Sequence, residues 1–245
     1  MAQPYSMTDR IGTRATLGLI VLQTDETLEQ EFRQVFTAQD IAIYTSRVPS
    51  GADVTTETLA AMAQEIPAAA RLLPPSLDYD AIAYCCTSGA TVIGPDRVAD
   101  LVASGAKVRA VTNPITAVIA ALRSLKATRI GMVTPYIESV TAPMRDKLIA
   151  EGFAVDHCVS FEEAEEAKVT RIDAQSVFDA AVAAGSGDAD TVFLGCTNLR
   201  TFDVIARIED ALGKPVISSN QALAWHLAQL AGTAPDVAVG ALMRG

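Results

Sequence analysis

The two halves of this chain each contain an apolar run that ends abruptly in cysteine and threonine. The first run reads DAIAYCCTS and contains Cys86, and the second reads DTVFLGCTN and contains Cys196. A short apolar run that stops at polar residues is typical of a buried strand that ends at the carboxyl edge of a sheet. The repeat is far longer than the roughly 20–50 residues of a solenoid unit, so it indicates two duplicated domains. We therefore expect one thiol on each side of a shared cleft.

Strand and helix patterns alternate along the rest of the chain. Apolar runs predict strands at residues 17–22, 41–47, 80–85, 108–111, 129–134, 154–159, 191–195 and 215–218. The longest helical pattern between them covers residues 54–73 and is followed by Pro74 and Pro75, which cannot continue a helix. Strands that alternate with helices predict an α/β fold with parallel sheets that are covered on both faces.

The strand pattern restarts halfway along the chain, and this restart predicts a domain boundary. Residues 1–126 are expected to form an N-terminal α/β domain that carries Cys86, and residues 127–220 a C-terminal α/β domain that carries Cys196. Residues 221–245 contain a final helix. Packing of this helix against the first domain is an alternative that the sequence leaves open.

Composition excludes several classes of partner. The formal net charge of −10 argues against nucleic acid or an anionic membrane, because like charges repel. No apolar stretch reaches the ~18–20 residues that span a bilayer, and residues 1–14 lack the apolar centre of a secretory signal. The four cysteines lack the spacing of a disulfide framework, which is typical of a reducing compartment. We predict a cytoplasmic protein, and a homodimer because this is the commonest oligomer.

The repeated cysteines are the strongest candidates for chemistry. Two opposed thiols can act as acid and base, or as nucleophile and acid, without a cofactor. A single buried cysteine is more often a small apolar core residue, and we assign Cys85 and Cys158 that role. For Cys86 and Cys196, the repeated Cys-Thr context favours a function in the reaction.

Polar groups next to the two cysteines predict a binding site for a carboxylate. A free cysteine is only a few per cent thiolate at neutral pH, and the amides at the start of a following helix would favour the thiolate. The same amides would bind carboxylate oxygens. The side chains expected to join them are those of Thr87, Ser88, Thr197 and Asn198.

Three motifs together resemble the aspartate/glutamate racemase superfamily. They are Ala83–Gly89, Thr134–Tyr136 and the run from Cys196 to the segment GKPVISS that ends at Ser219. Their order and spacing are most similar to the branch of maleate isomerases and arylmalonate decarboxylases. The resemblance implies two pseudo-symmetric Rossmann-like (flavodoxin-like) domains with the active site in the cleft between them. It also implies a reaction that needs neither a metal nor an organic cofactor.

The resemblance also implies roles for individual residues. Cys86 resembles the nucleophile or first base of the isomerases, and Cys196 resembles the partner acid or base. In the decarboxylase branch the position of Cys86 is usually glycine, so the presence of both thiols argues against simple decarboxylation. Thr87 and Ser88 resemble residues that bind a substrate carboxylate. Tyr136 resembles a tyrosine whose hydroxyl contacts a carboxylate, with a partly buried core tyrosine as the alternative.

The loop after the first strand departs from the isomerase pattern. The isomerases carry a substrate-binding asparagine there, whereas this chain has Asp25, and we include Asp25 and Gln23 in the predicted substrate-binding set. A carboxylate would repel a dicarboxylate substrate but would pair with an ammonium group. Similar sequences with such a loop occur among proteins linked to ectoine breakdown, whose intermediates carry amines. As an alternative, Asp25 caps the helix predicted at residues 27–37.

The acidic run at residues 162–166 is predicted to be the solvated start of a helix, where carboxylates suit the helix dipole. The isomerases carry a second asparagine after the middle strand. Glu165 and Glu166 lie near that position in this chain, and the sequence does not show which residue corresponds to the asparagine. Neither histidine lies at a repeated position, and no cluster of metal ligands is evident.

Taken together, these patterns favour a cofactor-independent isomerase of a small carboxylic acid. The reaction would be cis–trans isomerisation, as in maleate isomerases, or racemisation or epimerisation of an amino acid. The alternatives are an arylmalonate-type decarboxylase and a non-catalytic protein that binds a small acid. In each case the expected partner is a small-molecule carboxylate.

Overall fold

The computed structural model describes residues 1–245, and its strands form two separate parallel sheets. The first sheet contains Ala15–Leu22 (β1), Ile41–Val48 (β2), Tyr79–Cys85 (β3) and Val108–Thr112 (β4). Its strands lie in the order β2-β1-β3-β4. Every residue of β1 is buried, as expected for a central strand covered on both faces.

The second sheet repeats the arrangement of the first. It contains Arg129–Thr134 (β5), Ala154–Ser160 (β6), Thr191–Leu194 (β7) and Val216–Ser218 (β8), in the order β6-β5-β7-β8. The strand order is therefore the same in both halves, with β5 in the place of β1. The predicted α/β class with two pseudo-symmetric parallel sheets is confirmed. The division into domains at residue 126 stays a prediction.

Helices connect the strands in both halves. In the first half they are Leu28–Val35 (α1), Thr56–Ala61 (α2), Ile66–Arg71 (α3), Thr87–Ile93 (α4), Pro95–Ala103 (α5) and Pro114–Ser124 (α6). In the second half they are Glu138–Ala150 (α7), Glu166–Val169 (α8), Ala174–Ala184 (α9), Phe202–Leu212 (α10), Ser219–Leu230 (α11) and Gly240–Arg244 (α12). None of them is both long and apolar enough to cross a membrane.

Two expectations about local structure are wrong. The helix predicted at residues 54–73 is broken into α2, a 3₁₀ turn at Met62–Gln64, and α3. Pro67 lies in the first turn of α3, where its missing N–H is tolerated, whereas inside a continuous helix it would remove a hydrogen bond. Cys158, expected in the core, is exposed because β6 is an edge strand of its sheet.

Helix α11 and one short bridge are among the connections between the two halves. Helix α11 follows the last strand of the second sheet but packs against α6 of the first half, and His226 Nδ1 on α11 lies 2.9 Å from Thr112 Oγ1. On the opposite side, Asp53 and Glu165 form an isolated antiparallel pair. Hydrogen bonds flank this pair, with the Val54 amide donating to Ala164 O at 3.0 Å. We call this pairing of residues 52–54 with 164–166 the interdomain bridge.

Candidate active site

Cys86 lies where β3 ends and α4 begins. It is the N-cap of α4, and its Sγ accepts a hydrogen bond from the Gly89 amide at 3.2 Å. A side chain at position 89 would not fit, since a Cβ there would come within 2.9 Å of the Cys86 Sγ and 2.7 Å of the Tyr84 hydroxyl. The glycine of the motif CCTSG therefore allows the thiol to reach the backbone amide.

Cys196 occupies the equivalent place after β7. Its Sγ accepts a hydrogen bond from the Asn198 amide at 3.2 Å and another from the Tyr136 hydroxyl at 2.8 Å. Tyr136 follows β5 and is 2% exposed. The predicted contact of its hydroxyl with a substrate carboxylate stays a prediction. The contact that the structure gives its hydroxyl is with the thiol.

Hydrogen bonds between the halves bring the two strand ends together. The Thr197 hydroxyl donates to the carbonyl of Cys85 at 3.3 Å, so the residue after one thiol contacts the residue before the other. Thr87 Oγ1 donates to Ser219 Oγ at 2.8 Å. Burial raises the pKa of Tyr136 first, and the nearby Cys196, Glu166 and Cys86 raise it further. Cys86 and Cys196 therefore belong to one buried polar site between the two sheets.

Burial decides the protonation of both thiols. It raises the pKa of Cys86 to about 12, although the Gly89 amide opposes this shift. The pKa of Cys196 also lies well above its usual range, because burial outweighs the hydrogen bonds from Tyr136 and Asn198. The helix amides predicted to favour the thiolate are in place at Cys86, the N-cap of α4, but not at Cys196, because α10 begins only at Phe202. At both thiols desolvation is the stronger effect. Both residues are therefore thiols until a bound molecule changes their surroundings.

Asp25 lies in the loop between β1 and α1 and is 3% exposed. Its Oδ1 accepts hydrogen bonds from the amides of Thr27 and Leu28, both at 2.8 Å, so it caps the start of α1. Its Oδ2 is buried and receives no hydrogen bond of normal geometry, since the nearby Thr197 hydroxyl, which lowers the pKa of Asp25, donates to the carbonyl of Cys85 instead. Burial raises the pKa of Asp25 to about 6, against the effect of the two amides. The helix-cap alternative therefore accounts for one carboxylate oxygen and leaves the other unused.

Glu166 is a site residue that the sequence did not identify. It was read as part of a solvated acidic run, yet it is 4% exposed, and burial raises its pKa to about 7. Its amide donates to the carbonyl of Ala52 across the interdomain bridge, which covers this end of the site. Its charge raises the pKa of both Cys86 and Cys196. The only signal in the sequence was its position near the unassigned asparagine of the isomerases.

Asn198 connects the two carboxylate-bearing loops. Its Nδ2 donates to Glu166 Oε2 at 3.0 Å, and its Oδ1 accepts a hydrogen bond from the Glu26 amide at 2.9 Å. These two partners fix the orientation of the amide group. Ser88, also buried, has its hydroxyl 3.7 Å from the Cys86 Sγ. Gln23, in contrast, is exposed, and no hydrogen bond joins its side chain to this group.

A second buried network lies beneath the site and joins the two halves. Glu31 on α1 accepts hydrogen bonds from the amides of Thr201 and Phe202, at 2.6 and 2.9 Å, and from the Asn220 side chain at 2.7 Å. Asn220 also donates to the carbonyl of Thr197, at 2.7 Å. Glu31 was not identified from the sequence, although a signal exists: it lies between Leu28, Phe32 and Val35 at the spacing of the buried face of α1, where an acidic residue is unusual.

The buried carboxylates predict an unusual dependence of stability on pH. Burial raises the pKa of Glu31 from the 4.5 of a free side chain to about 7. Between these values the folded protein holds a proton that the unfolded chain releases, so the free energy of unfolding falls as pH rises through this window. Glu31→Gln cannot titrate at this position. In urea unfolding from pH 5 to pH 7, we therefore expect the free energy of unfolding of the unmodified protein to fall by up to about 1.4 kcal/mol per pH unit relative to that of Glu31→Gln. Parallel pH profiles would contradict this prediction.

Known proteins resemble this chain in both sequence and fold. The family model of arylmalonate decarboxylase matches residues 17–243. The arylmalonate decarboxylase of Bordetella bronchiseptica is 33% identical over 123 residues, which cover 49% of this chain and 51% of that protein. The maleate isomerase of Geobacillus stearothermophilus is 26% identical over 218 residues, which cover 83% of this chain and 86% of that protein.

A solved structure supports the same relationship at the level of the fold. The maleate cis–trans isomerase of Nocardia farcinica, with a covalently bound succinylcysteine intermediate, superposes with a TM-score of 0.83 at 24% identity and covers 94% of this chain and 98% of that one. These similarities confirm the predicted resemblance, and the isomerase relatives confirm the predicted enzyme class. The chain therefore belongs to the arylmalonate decarboxylase family, in the branch that contains the maleate isomerases.

Proposed function

We propose that this isomerase works without a cofactor and that Cys86 and Cys196 act from opposite sides of a small carboxylate substrate. The observation that carries the proposal is the pair of buried thiols at equivalent ends of β3 and β7, each accepting a backbone N–H. The cross-half hydrogen bond from Thr197 to the carbonyl of Cys85 supports a short separation between them. Two thiols in such an arrangement can serve two related reactions.

In cis–trans isomerisation, the Cys86 thiolate would add to an activated carbon–carbon double bond. The electron pair of that bond would move onto the neighbouring carbon and its carboxylate, which leaves a single bond that can rotate. Cys196 would donate a proton to that carbon and take it back after rotation, and the returned electron pair would restore the double bond as the sulfur–carbon bond breaks and releases the Cys86 thiolate. The succinylcysteine in the Nocardia farcinica enzyme is the kind of intermediate that this route forms in that protein.

In racemisation or epimerisation, one thiolate would remove the α-proton and the opposite thiol would deliver a proton to the other face. Both routes build negative charge on the substrate carboxylate. Polar groups around the site would stabilise that charge in a water-excluded environment. The candidates are the hydroxyls and amides of Thr87, Ser88, Thr197 and Asn198, all of which are buried.

Decarboxylation of a malonate-type acid is the second candidate. Of the two relatives aligned by sequence above, the Bordetella bronchiseptica decarboxylase has the higher identity to this chain, although the alignment covers about half of each chain. That reaction would cleave a carbon–carbon bond and leave one protonation step, for which a single thiol suffices. The second thiol at Cys86 favours the isomerase.

The experiment that tests the proposal is an assay of a panel of acids in heavy water. The panel comprises maleate, both enantiomers of aspartate, the four stereoisomers of hydroxyaspartate, acylated diamino acids and phenylmalonate. Chromatography on a chiral phase gives the isomer ratio, NMR gives deuterium at the α-carbon, and trapping gives carbon dioxide. We expect at least one acid to change configuration without loss of carbon dioxide.

Two outcomes would contradict the isomerase proposal. Release of carbon dioxide from phenylmalonate, with no isomer change in any acid, would favour the decarboxylase. Acids that protect the thiols from iodoacetamide without any exchange or isomer change would favour a binding protein. The cytoplasmic location and the homodimer stay predictions, to be examined by fractionation and by light scattering.

A further inference from the structure

Two carboxylates reach the site from opposite halves of the chain without a cationic partner. Asp25 comes from the loop after β1, and Glu166 begins α8 beside the interdomain bridge. Neither takes part in any of the salt bridges of the structure. The nearest guanidinium that affects Asp25 is that of Arg47, which bonds to the backbone carbonyl of Asp25 and forms its ion pair with Glu29.

The two carboxylates also keep unused acceptor atoms. Asp25 Oδ2 is buried without any hydrogen-bond partner. Glu166 uses Oε2 to accept from the Asn198 side chain at 3.0 Å, and no hydrogen bond to Oε1 is formed. The charge on Asp25 raises the pKa of Glu166, and both carboxylates raise the pKa of the two thiols. Asn198 gives the geometric link, since its side chain bonds to Glu166 and to the Glu26 amide beside Asp25, and its own amide donates to Cys196 Sγ.

A buried carboxylate without a cationic partner is stabilised either by protonation or by a bound cation. Burial of an anion without a partner costs free energy, and a like charge nearby adds to the cost. A dicarboxylate ligand would bring further negative charge into the same site. An ammonium group would instead supply three donors and one positive charge, which matches the free oxygens of the two side chains.

We propose that Asp25 and Glu166 bind the ammonium group of an amino acid substrate, an inference that rests on the isomerase function proposed above. The substrate carboxylate would take the amides and hydroxyls beside Cys86 and Cys196. The substrate is then an α-amino acid. The reaction is racemisation or epimerisation at its α-carbon, which lies between the ammonium group and the carboxylate.

The bound ammonium group would also prepare the thiols for reaction. The negative charge on Glu166 opposes ionisation of Cys86 and Cys196. A cation on Glu166 offsets that charge, so ionisation of a thiol becomes easier when an amino acid is bound than in the empty site. An acid of the same shape without the ammonium group would bind more weakly and would leave the thiols protonated.

Binding of matched pairs of ligands tests the proposal independently of turnover. Each pair consists of one of the common amino acids and its deaminated acid, such as alanine with propionate or aspartate with succinate. Calorimetry on the unmodified protein gives the ratio of their dissociation constants. For at least one pair, we expect the amino acid to bind at least about tenfold more tightly, because an ion-assisted hydrogen bond is lost in its partner.

Conservative variants locate the source of that preference. Glu166→Gln and Asp25→Asn keep the size of the side chain and one oxygen for Asn198 or for the α1 amides. We expect each variant to reduce the preference for the amino acid over its deaminated acid about tenfold or more. A merely structural role would weaken the binding of both members of a pair equally. Glu165→Gln is the matched control, since Glu165 is exposed on the same segment and pairs with Lys168. Its ratio should not change.

The outcomes separate this inference from the proposed function. Deaminated acids that bind as tightly as the amino acids, no binding by any amino acid, or an unchanged ratio in Glu166→Gln would each overturn the ammonium site. If maleate is nevertheless isomerised, the two-thiol isomerase stands and only the substrate class is wrong. If amino acids bind with the expected ratio but no α-deuterium appears in heavy water, the ammonium site stands and the isomerase fails.

Discussion

Replacement of Cys86 or Cys196 by alanine is expected to lower turnover at least about 10²-fold, and up to about 10⁴-fold. Each thiol is the group on its own side of the site that can take up or deliver a proton, and no histidine or lysine is hydrogen-bonded to either sulfur. Loss of either one leaves a face of the substrate without an acid or base. The measurement is the initial rate of isomer change with the best substrate of the panel.

The other two cysteines provide matched controls for this prediction. Cys85 is adjacent to Cys86 in sequence but contacts the carbonyl of Ala83, at 3.4 Å, and Cys158 is exposed on the edge strand β6. Alanine at either position should keep turnover within about threefold of the unmodified protein if the protein folds. Near-normal turnover in Cys86→Ala or Cys196→Ala would remove that residue from the mechanism.

The residual activity of the two variants distinguishes the routes. If the reaction is racemisation, each variant should retain α-deuterium exchange for the enantiomer whose proton faces the remaining thiol, and lose inversion. If the reaction is cis–trans isomerisation, Cys86→Ala should lose all exchange, because no adduct forms. Equal loss of exchange for both enantiomers in both variants would contradict the racemase route.

The repeated Cys-Thr motif made the central part of the fold predictable. An apolar run followed by polar residues is a local pattern, and β3 and β7 end at Cys85 and Leu194, within one residue of the predicted ends. Because the carboxyl ends of parallel strands lie at one edge of a sheet, the duplication also predicts two facing thiols. The hydrogen bonds between Thr197 and Cys85 and between Thr87 and Ser219 agree with that expectation.

Residues whose surroundings depend on contacts between the halves could not be predicted. Glu166 is buried because the amide at its own position pairs with Ala52, which is far away in sequence. A run of glutamates is normally exposed, and no local pattern reveals such a pairing. The protonation of the thiols was misjudged for the same reason. The amides that favour a thiolate are local, whereas the burial that opposes it depends on contacts between the two halves.

Glu31→Ala is expected to be the most destabilising of the substitutions considered for this protein. Glu31 accepts hydrogen bonds from two backbone amides and from Asn220, all on the opposite half of the chain, and it is 4% exposed. Alanine would leave these buried donors without an acceptor, and each such donor costs about 1–3 kcal/mol. We expect a loss of at least about 3 kcal/mol in the free energy of unfolding.

In a protein of this size a loss of about 3 kcal/mol lowers the melting temperature by roughly 6–12 °C, which calorimetry measures directly. Glu29→Ala on the same helix is the control, because Glu29 is partly exposed and its pair with Arg47 is worth less than about 1 kcal/mol. The melting temperature of Glu31→Gln should lie between those of Glu31→Ala and Glu29→Ala. Its oxygen can still accept from the amides of Thr201 and Phe202, but its NH₂ group faces the NH₂ group of Asn220. If Glu31→Ala melts within about 2 °C of the Glu29 control, the network beneath the site does not hold the halves together. The halves would then be held by their other contacts, which include the interdomain bridge, α11 and the hydrogen bond from Thr197 to the carbonyl of Cys85.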